Sequence, residues 1–112
     1  MCSSDLAGSL PYGLQRRLEI ARALAIRPRL LLLDEPAAGM NEEESIALVN
    51  FIREIRRKFS LTIFMIEHRM DVVTSLCDEI TVLNFGKILA RSSCMEEIKK
   101  NPSVVEAYLG KE

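Results

Sequence analysis

Two adjacent carboxylates follow a run of four leucines about a third of the way along the chain. Leu30–Leu33 lead directly into Asp34 and Glu35, and Pro36 comes next. A short apolar run bounded by turn residues predicts a strand buried on both faces of a parallel sheet, although leucine alone fits a helix equally well. Because an unpaired charge is costly to bury, the two carboxylates are expected where the strand leaves the sheet. Neighbouring strand residues point to opposite sides, so one carboxylate can hold a cation and the other a water.

A histidine occupies the same kind of place after a second apolar segment. Residues 61–66 are rich in β-branched and aromatic residues, which predicts another buried strand, and Glu67 and His68 follow it. A single histidine is more often structural than catalytic. From the residues alone, both interpretations of His68 stay open.

A glycine opens a helical segment near the start of the chain. Gly13 permits close approach of a ligand, and the exposed N–H groups of the helix that follows are a ready anion site. An ordinary helix that begins at a glycine explains the pattern equally well. Apolar residues recur at helical spacing and predict the inward face: Leu14, Leu18, Ala21 and Ala25. The helix is expected to end before Pro28.

The segments that position these residues can be predicted from the remaining pattern. Asn41 is a good N-cap with Glu44 at the capping-box position, which predicts a second helix. Its predicted buried face is Leu48, Ile52, Ile55 and Phe59. Residues 80–83 and 88–90 predict a hairpin that turns at Gly86, and short helices follow it.

Composition narrows the class of protein. Hydrophobic residues make up 48% of the 112, which is enough for the core of one small domain. The net charge of −1 gives no basic field for nucleic acid, and no apolar run is long enough to span a membrane. Three scattered cysteines predict reduced, cytosolic thiols. Residues 1–9 show no periodicity and are interpreted as a leader foreign to the fold.

From residue 10 onwards the chain resembles the ATPase domain of ABC transporters. Gly13–Leu24, Pro28 and Leu30–Pro36 resemble the signature helix and Walker B segment of that family. Residues 10–14 take the place of the L-S-G-G-Q signature and differ from it at three positions: Pro11, Tyr12 and Leu14. The Tyr-Gly pair and residues 101–110 are similar to ATP-binding subunits of branched-chain amino acid uptake systems.

The resemblance implies an α/β fold that forms the C-terminal half of a P-loop NTPase domain. A mostly parallel sheet flanked by helices is expected, with a C-terminal hairpin and short helices. The signature helix would occupy residues 10–27, and the stretch from Walker B to the C-terminus residues 28–112. The chain contains no G-x-x-x-x-G-K-[ST] loop. Because the family's Walker A and Q-loop precede the signature, we expect a truncated chain that is inactive by itself.

Roles for individual residues also come from the resemblance. Asp34 would hold Mg²⁺ directly or through water, and Glu35 would act as general base or orient the attacking water. His68 stands at the family's H-loop position and would contact the γ-phosphate of ATP. Asn41 lies where the family has its D-loop. The signature residues would bind the γ-phosphate held by a partner subunit: Leu10, Pro11, Tyr12, Gly13 and Leu14.

The same resemblance implies the partners. A second ATP-binding subunit would pack head to tail against this one, and transmembrane permease subunits would hold both at the cytoplasmic face of the plasma membrane. No nucleic acid is expected. Two alternatives stay open: a soluble ABC-family ATPase that acts on nucleic acid or ribosomes, and an inert fragment.

Overall fold

The computed structural model describes residues 11–109, so Leu10 and the predicted leader lie outside the described residues. The chain divides into two compact units, with the boundary between Val72 and Val73. Each unit contributes one pair of strands to the described fold. Every predicted site residue from 11 onwards lies in the first unit, so the fold of that unit positions the site.

The first unit is built on a strand–helix–strand crossover. Its four elements in chain order are helix α1 (Tyr12–Leu24), strand β1 (Leu30–Asp34), helix α2 (Glu42–Phe59) and strand β2 (Thr62–Ile66). β1 and β2 pair in parallel, and Asp34 lies opposite Ile66. Parallel neighbours need a long connection, which α2 provides. The two strands therefore end at the same edge of the sheet, and the residues that follow each strand lie side by side.

The capping box predicted for α2 is present. The Asn41 side chain accepts the N–H of Glu44 at 2.8 Å, and Glu44 accepts the N–H of Asn41 at 3.2 Å. Three of the four predicted inward residues are buried: Leu48, Ile52 and Ile55. Phe59 is exposed, so its predicted burial is wrong. It is the last residue of the helix, and the chain turns away at Ser60, whose φ is +53°.

The prediction that both strands are buried on two faces is wrong for the described part of the chain. Leu31 is buried, but Leu32 is 67% exposed and its partner Phe64 is 61% exposed. Side chains alternate along a strand, so the exposed members of the paired strands share one face. We call this the open sheet face; it comprises Leu30, Leu32, Phe64 and Ile66. The unit thus has one packed and one exposed apolar sheet surface.

Helix α1 lies within the predicted residues 10–27 but ends three residues earlier, at Leu24, and turns a different face inward. Gly13 and Ile20 are buried. The predicted inward residues are exposed: Leu14, Leu18, Ala21 and Ala25. Gly13 and Ile20 are two turns apart and therefore lie on one face, and α1 packs against α2. The absence of a side chain at Gly13 lets its backbone approach Glu44 of α2, and this contact selects the buried face.

The second unit is a hairpin covered by short helices. Helix α3 (Met70–Leu76) crosses the boundary into it, and strands β3 (Ile80–Asn84) and β4 (Lys87–Ser92) then pair antiparallel as predicted. Phe85 and Gly86 both have positive φ, the pattern of a type I′ turn. The chain continues with α4 (Met95–Lys100), α5 (Pro102–Val104) and a π-helical turn (Val105–Leu109). Among residues 11–109, no helix is long and apolar enough to cross a membrane.

Candidate functional site

Glu35 leaves the sheet in a conformation that few side chains adopt. β1 ends at Asp34, and Glu35 has φ +46°, in the left-handed region. Its N–H donates to the carbonyl of Ile66 at 2.7 Å, so backbone pairing with β2 continues one residue beyond the strand. A non-glycine residue in this region costs about 1–3 kcal/mol and is typical of functional sites. The alternation of strand side chains does not apply to Glu35, because its backbone is no longer extended.

His68 and Glu35 are in direct contact at this edge. The Nδ1 atom of His68 lies 2.5 Å from Oε1 of Glu35. A carboxylate can only accept, so the proton between them is on Nδ1 when Glu35 is ionised. Both side chains face solvent, with 69% of His68 and 45% of Glu35 exposed. The structure thus brings together the two residues to which the resemblance assigns catalytic roles, and water can reach both.

Glu67 holds the backbone next to the contact between Glu35 and His68. Its side chain is fully buried and accepts three backbone N–H groups: Ala37 at 3.3 Å, His68 at 3.1 Å and Arg69 at 3.3 Å. A buried carboxylate needs such donors, because it has lost its hydration. Sequence reasoning treated Glu67 only as a polar residue that ends the strand. The signal for its role was a carboxylate next to the chain's only histidine.

Arg69 is the second residue that sequence reasoning missed. Its Nη1 donates to the carbonyl of Met40 at 3.1 Å and contacts Ser45 Oγ and, at 3.5 Å, the Ala37 carbonyl. Its Nη2 donates to Asp71 at 3.0 Å. Ser45 Oγ in turn donates to the Asn41 carbonyl at 2.8 Å. Hydrogen bonds therefore connect the segment around His68 with the N-cap of α2.

The Mg²⁺ ion that the resemblance implies needs oxygen ligands, and Asp34 is the carboxylate expected to supply them. Asp34 is exposed and offers carboxylate oxygens, the ligand type that Mg²⁺ prefers, so it fits an ion held directly or through water. Glu35, Glu67 and His68 also bring ligand atoms within 4.8 Å of one another. That cluster is a poor metal site in this arrangement, because the 2.5 Å contact between Glu35 and His68 leaves no space for an ion between them.

The start of α1 is already engaged within the chain. The N–H of Gly13 donates to Glu44 Oε2 at 3.3 Å, so the amide that the resemblance assigns to phosphate has a carboxylate partner here. Tyr12 and Leu14 are both exposed. Pro11 is the N-cap residue, and its carbonyl accepts the N–H of Gln15 at 3.0 Å. A depression of about 210 Å³ lies beside these residues and is bounded on the α2 side by Glu43, Glu44 and Ala47.

Comparison with known proteins defines the class. A family model described as "ABC transporter" matches residues 2–38, which include α1 and β1. The chain is similar to this family over these residues, and its α/β fold is that of ABC-type ATPase domains, which are P-loop NTPases. The ADP conformation of MJ1267, an ATP-binding cassette of an ABC transporter, superposes with a TM-score of 0.83 at 33% identity, over 93% of this chain and 42% of that one. A nucleotide-free ATP-binding cassette gives a TM-score of 0.80 at 36% identity, with the same coverage.

Two curated relatives are more specific. The high-affinity branched-chain amino acid transport ATP-binding protein BraF of Pseudomonas aeruginosa is 50% identical over 104 residues. The protein with the same description, LivG of Escherichia coli, is 48% identical over 104 residues. Each alignment covers 93% of this chain and 40% of the relative, so the chain spans about two-fifths of the length of the relatives it matches.

Proposed function

We propose that this chain is part of an ATP-hydrolysing subunit of an ABC transporter that imports branched-chain amino acids. The observation that carries the proposal is the 2.5 Å contact between Glu35 and His68 at the carboxyl edge of a parallel strand pair. Open α/β sheets bind their ligands at this edge. The names of the relatives BraF and LivG support the transported substrate.

Glu35 acts as the general base. Its Oε1 is held by His68, and its Oε2 takes a proton from the water that attacks the terminal phosphate. The exposure of the side chain gives that water access. The left-handed backbone fixes the carboxylate at the rim of the sheet, so little reorientation is needed when the nucleotide binds.

His68 stabilises charge on the phosphate. A protonated imidazole carries two N–H groups, one for Glu35 and one for an oxygen of the terminal phosphate. Asp34 holds Mg²⁺, directly or through water, and the ion neutralises phosphate charge when it is bound. Glu35, His68 and Asp34 thus have separate roles at this edge, and the buried Glu67 holds the backbone of His68 in place.

The subunit works as a pair at the membrane. The signature residues, from Leu10 to Leu14, contact the terminal phosphate held by a second ATP-binding subunit, and Asn41 lies near the same interface. Transmembrane permease subunits bind the pair at the cytoplasmic face of the plasma membrane. To bind phosphate, the N–H of Gly13 exchanges its bond with Glu44 for one with the nucleotide.

A chimera tests this function. The 104 residues of E. coli LivG that align with this chain are replaced by those of the chain, and leucine uptake is measured in cells that lack their own LivG. Uptake is expected with the chimera. The Glu35→Gln chimera should bind Mg-ATP but hydrolyse it roughly 10²–10⁴-fold more slowly, because the amide cannot take the proton. Its bound ATP should also hold two subunits together, which size-exclusion chromatography detects.

The matched control is Glu54→Gln on the exposed side of α2, which should leave hydrolysis unchanged. If Glu35→Gln hydrolyses ATP at nearly the unsubstituted rate, Glu35 is not the base, and His68→Ala is then the variant to measure. A folded chimera that hydrolyses ATP but supports no leucine uptake would contradict the proposed substrate.

A further inference from the structure

The loop between β1 and α2 is held by the two residues that flank His68. This loop, residues 36–41, follows Glu35 directly, and we call it the 36–41 loop. Glu67 binds its backbone at Ala37, and Arg69 binds it at Met40. His68 lies between these two anchors in sequence, and its ring contacts Glu35.

Glu67 and Arg69 use opposite groups of the same loop. The carboxylate of Glu67 accepts the N–H of Ala37, whereas the guanidinium of Arg69 donates to a carbonyl three residues later. Neither kind of residue can do the work of the other, since a carboxylate only accepts and a guanidinium only donates. The 36–41 loop is therefore held at two points: its amide at Ala37 by Glu67 and its carbonyl at Met40 by Arg69.

The bonds of Arg69 can be ranked. Its Nη1 carries two hydrogens, and the two shorter contacts are to the Met40 carbonyl at 3.1 Å and to Ser45 Oγ. The Ala37 carbonyl at 3.5 Å lies at the outer limit of a hydrogen bond. Nη2 is anchored separately by Asp71 at 3.0 Å. The planar fork thus spans from helix α3 to the start of α2, which a single ammonium group cannot do.

We propose that Arg69 is a positioning residue that holds the 36–41 loop against the segment after β2, and thereby keeps Glu35 in reach of His68. The proposal rests on the proposed function in so far as Glu35 and His68 act on ATP. The guanidinium of Arg69 forms its hydrogen bonds with other residues, and it acts on Glu35 through Met40 and Ser45. Because Ser45 also donates to the Asn41 carbonyl, Arg69 influences the position of Asn41 at the N-cap of α2 through Ser45.

Hydrogen–deuterium exchange of the 112-residue chain tests the contact without any assay of activity. In Arg69→Ala, the amides of Ala38 and Met40 should exchange about 10-fold faster or more, because a charged hydrogen bond to their loop is lost. The Glu35 amide, which donates to Ile66 in the strand pair, should stay within about twofold. Arg91→Ala, which removes an exposed arginine paired with Glu79, is the control and should change none of these amides.

If exchange becomes faster at every amide of Arg69→Ala, the variant has lost global stability. The exchange pattern of Arg69→Lys then tests the positioning role. Lysine keeps the positive charge but not the planar fork of arginine. In Arg69→Lys, exchange should therefore become faster only in the 36–41 loop, and by less than in an Arg69→Ala variant that keeps its global stability. Unchanged exchange at Ala38 and Met40 overturns the proposal, and so does a uniform rise in both variants.

Kinetics of the LivG chimera give the second readout. Arg69→Ala should lower kcat for ATP hydrolysis about 10-fold or more and leave KM within about twofold, because a displaced Glu35 slows the chemical step without removing a contact to nucleotide. Arg69→Lys should recover part of kcat. If the unsubstituted chimera does not hydrolyse ATP, the proposed function fails, whereas the exchange result still judges the role of Arg69. An unchanged kcat in an active chimera overturns the positioning role.

Discussion

Glu44 of α2 accepts the backbone N–H of Gly13 of α1 at 3.3 Å, across 31 residues of sequence. The other oxygen of the same carboxylate accepts the N–H of Asn41 at 3.2 Å. One side chain therefore closes the capping box of α2 and satisfies an amide in the first turn of α1. The orientation of the two helices and the start of α2 depend on the same carboxylate.

This double use predicts a measurable coupling. In the 112-residue chain, Asn41→Ala and Glu44→Ala should each lower the free energy of unfolding by about 1 kcal/mol, since each breaks the capping box. Glu44→Ala should cost about 0.5–1.5 kcal/mol more, because Gly13 also loses its acceptor. The double variant should lose less than the sum, by about 0.5 kcal/mol or more. Urea unfolding measures all four proteins. Glu43→Ala, an exposed neighbour in the same turn, is the control; strict additivity would contradict the reciprocal box.

Asp34 and Glu35 should fail differently when each loses its charge. In the LivG chimera, Asp34→Asn is expected to raise the Mg²⁺ concentration needed for half-maximal ATP binding by about 10-fold, because one charged ligand is lost. Glu35→Gln should leave that concentration nearly unchanged. A Mg²⁺ titration followed by fluorescent nucleotide binding separates the two variants. Equal shifts in both would show that the ion is shared between the carboxylates.

The chain by itself should not bind ATP tightly. It contains no G-x-x-x-x-G-K-[ST] segment, whose backbone N–H groups cradle phosphates, and the Gly13 amide is engaged by Glu44. Isothermal titration of the 112-residue chain with Mg-ATP should give no saturable heat in the micromolar range. Micromolar binding would mean that Asp34, Glu35 and His68 hold a nucleotide without that cradle.

The open sheet face should make the isolated chain associate with itself. Leu32 and Phe64 lie opposite each other in the parallel pair and are largely exposed, and contiguous apolar surface of this kind favours association. Phe64→Ser should weaken self-association by about 10-fold, as sedimentation velocity can measure. Phe85→Ser provides a matched control, because Phe85 is 97% exposed at the tip of the hairpin and is not part of the open sheet face. An equal effect of both substitutions would refute the role of the sheet face.

Local signals predicted the elements of this fold well. The capping pair Asn41 and Glu44 fixed the start of α2, and the apolar runs before Asp34 and Glu67 predicted β1 and β2. Polar residues after each apolar run predicted that Glu35 and His68 follow strand ends, and the parallel pairing of the strands brings those ends to one edge. These features depend on residues close in sequence or on a general rule of topology.

The remaining features depend on contacts that no local pattern contains. The more apolar stripe of α1 predicted burial of Leu14 and Leu18, yet Gly13 and Ile20 are buried, because the bond from Gly13 to Glu44 sets the helix face. No local pattern around Arg69 predicts its hydrogen bonds, and only the fold brings it to Met40 and Ser45.

The left-handed backbone of Glu35 lowers the stability of the fold, whereas the proposed catalysis needs a glutamate at this position. Glycine adopts a φ of +46° freely and asparagine does so more easily than glutamate, so either replacement would relieve about 1 kcal/mol of backbone strain. A laboratory selection for thermostable variants, with no demand for turnover, would therefore enrich Glu35→Gly or Glu35→Asn. The selected variants would be more thermostable but would lack the carboxylate that contacts His68. Only a selection that also requires ATP hydrolysis would keep that carboxylate.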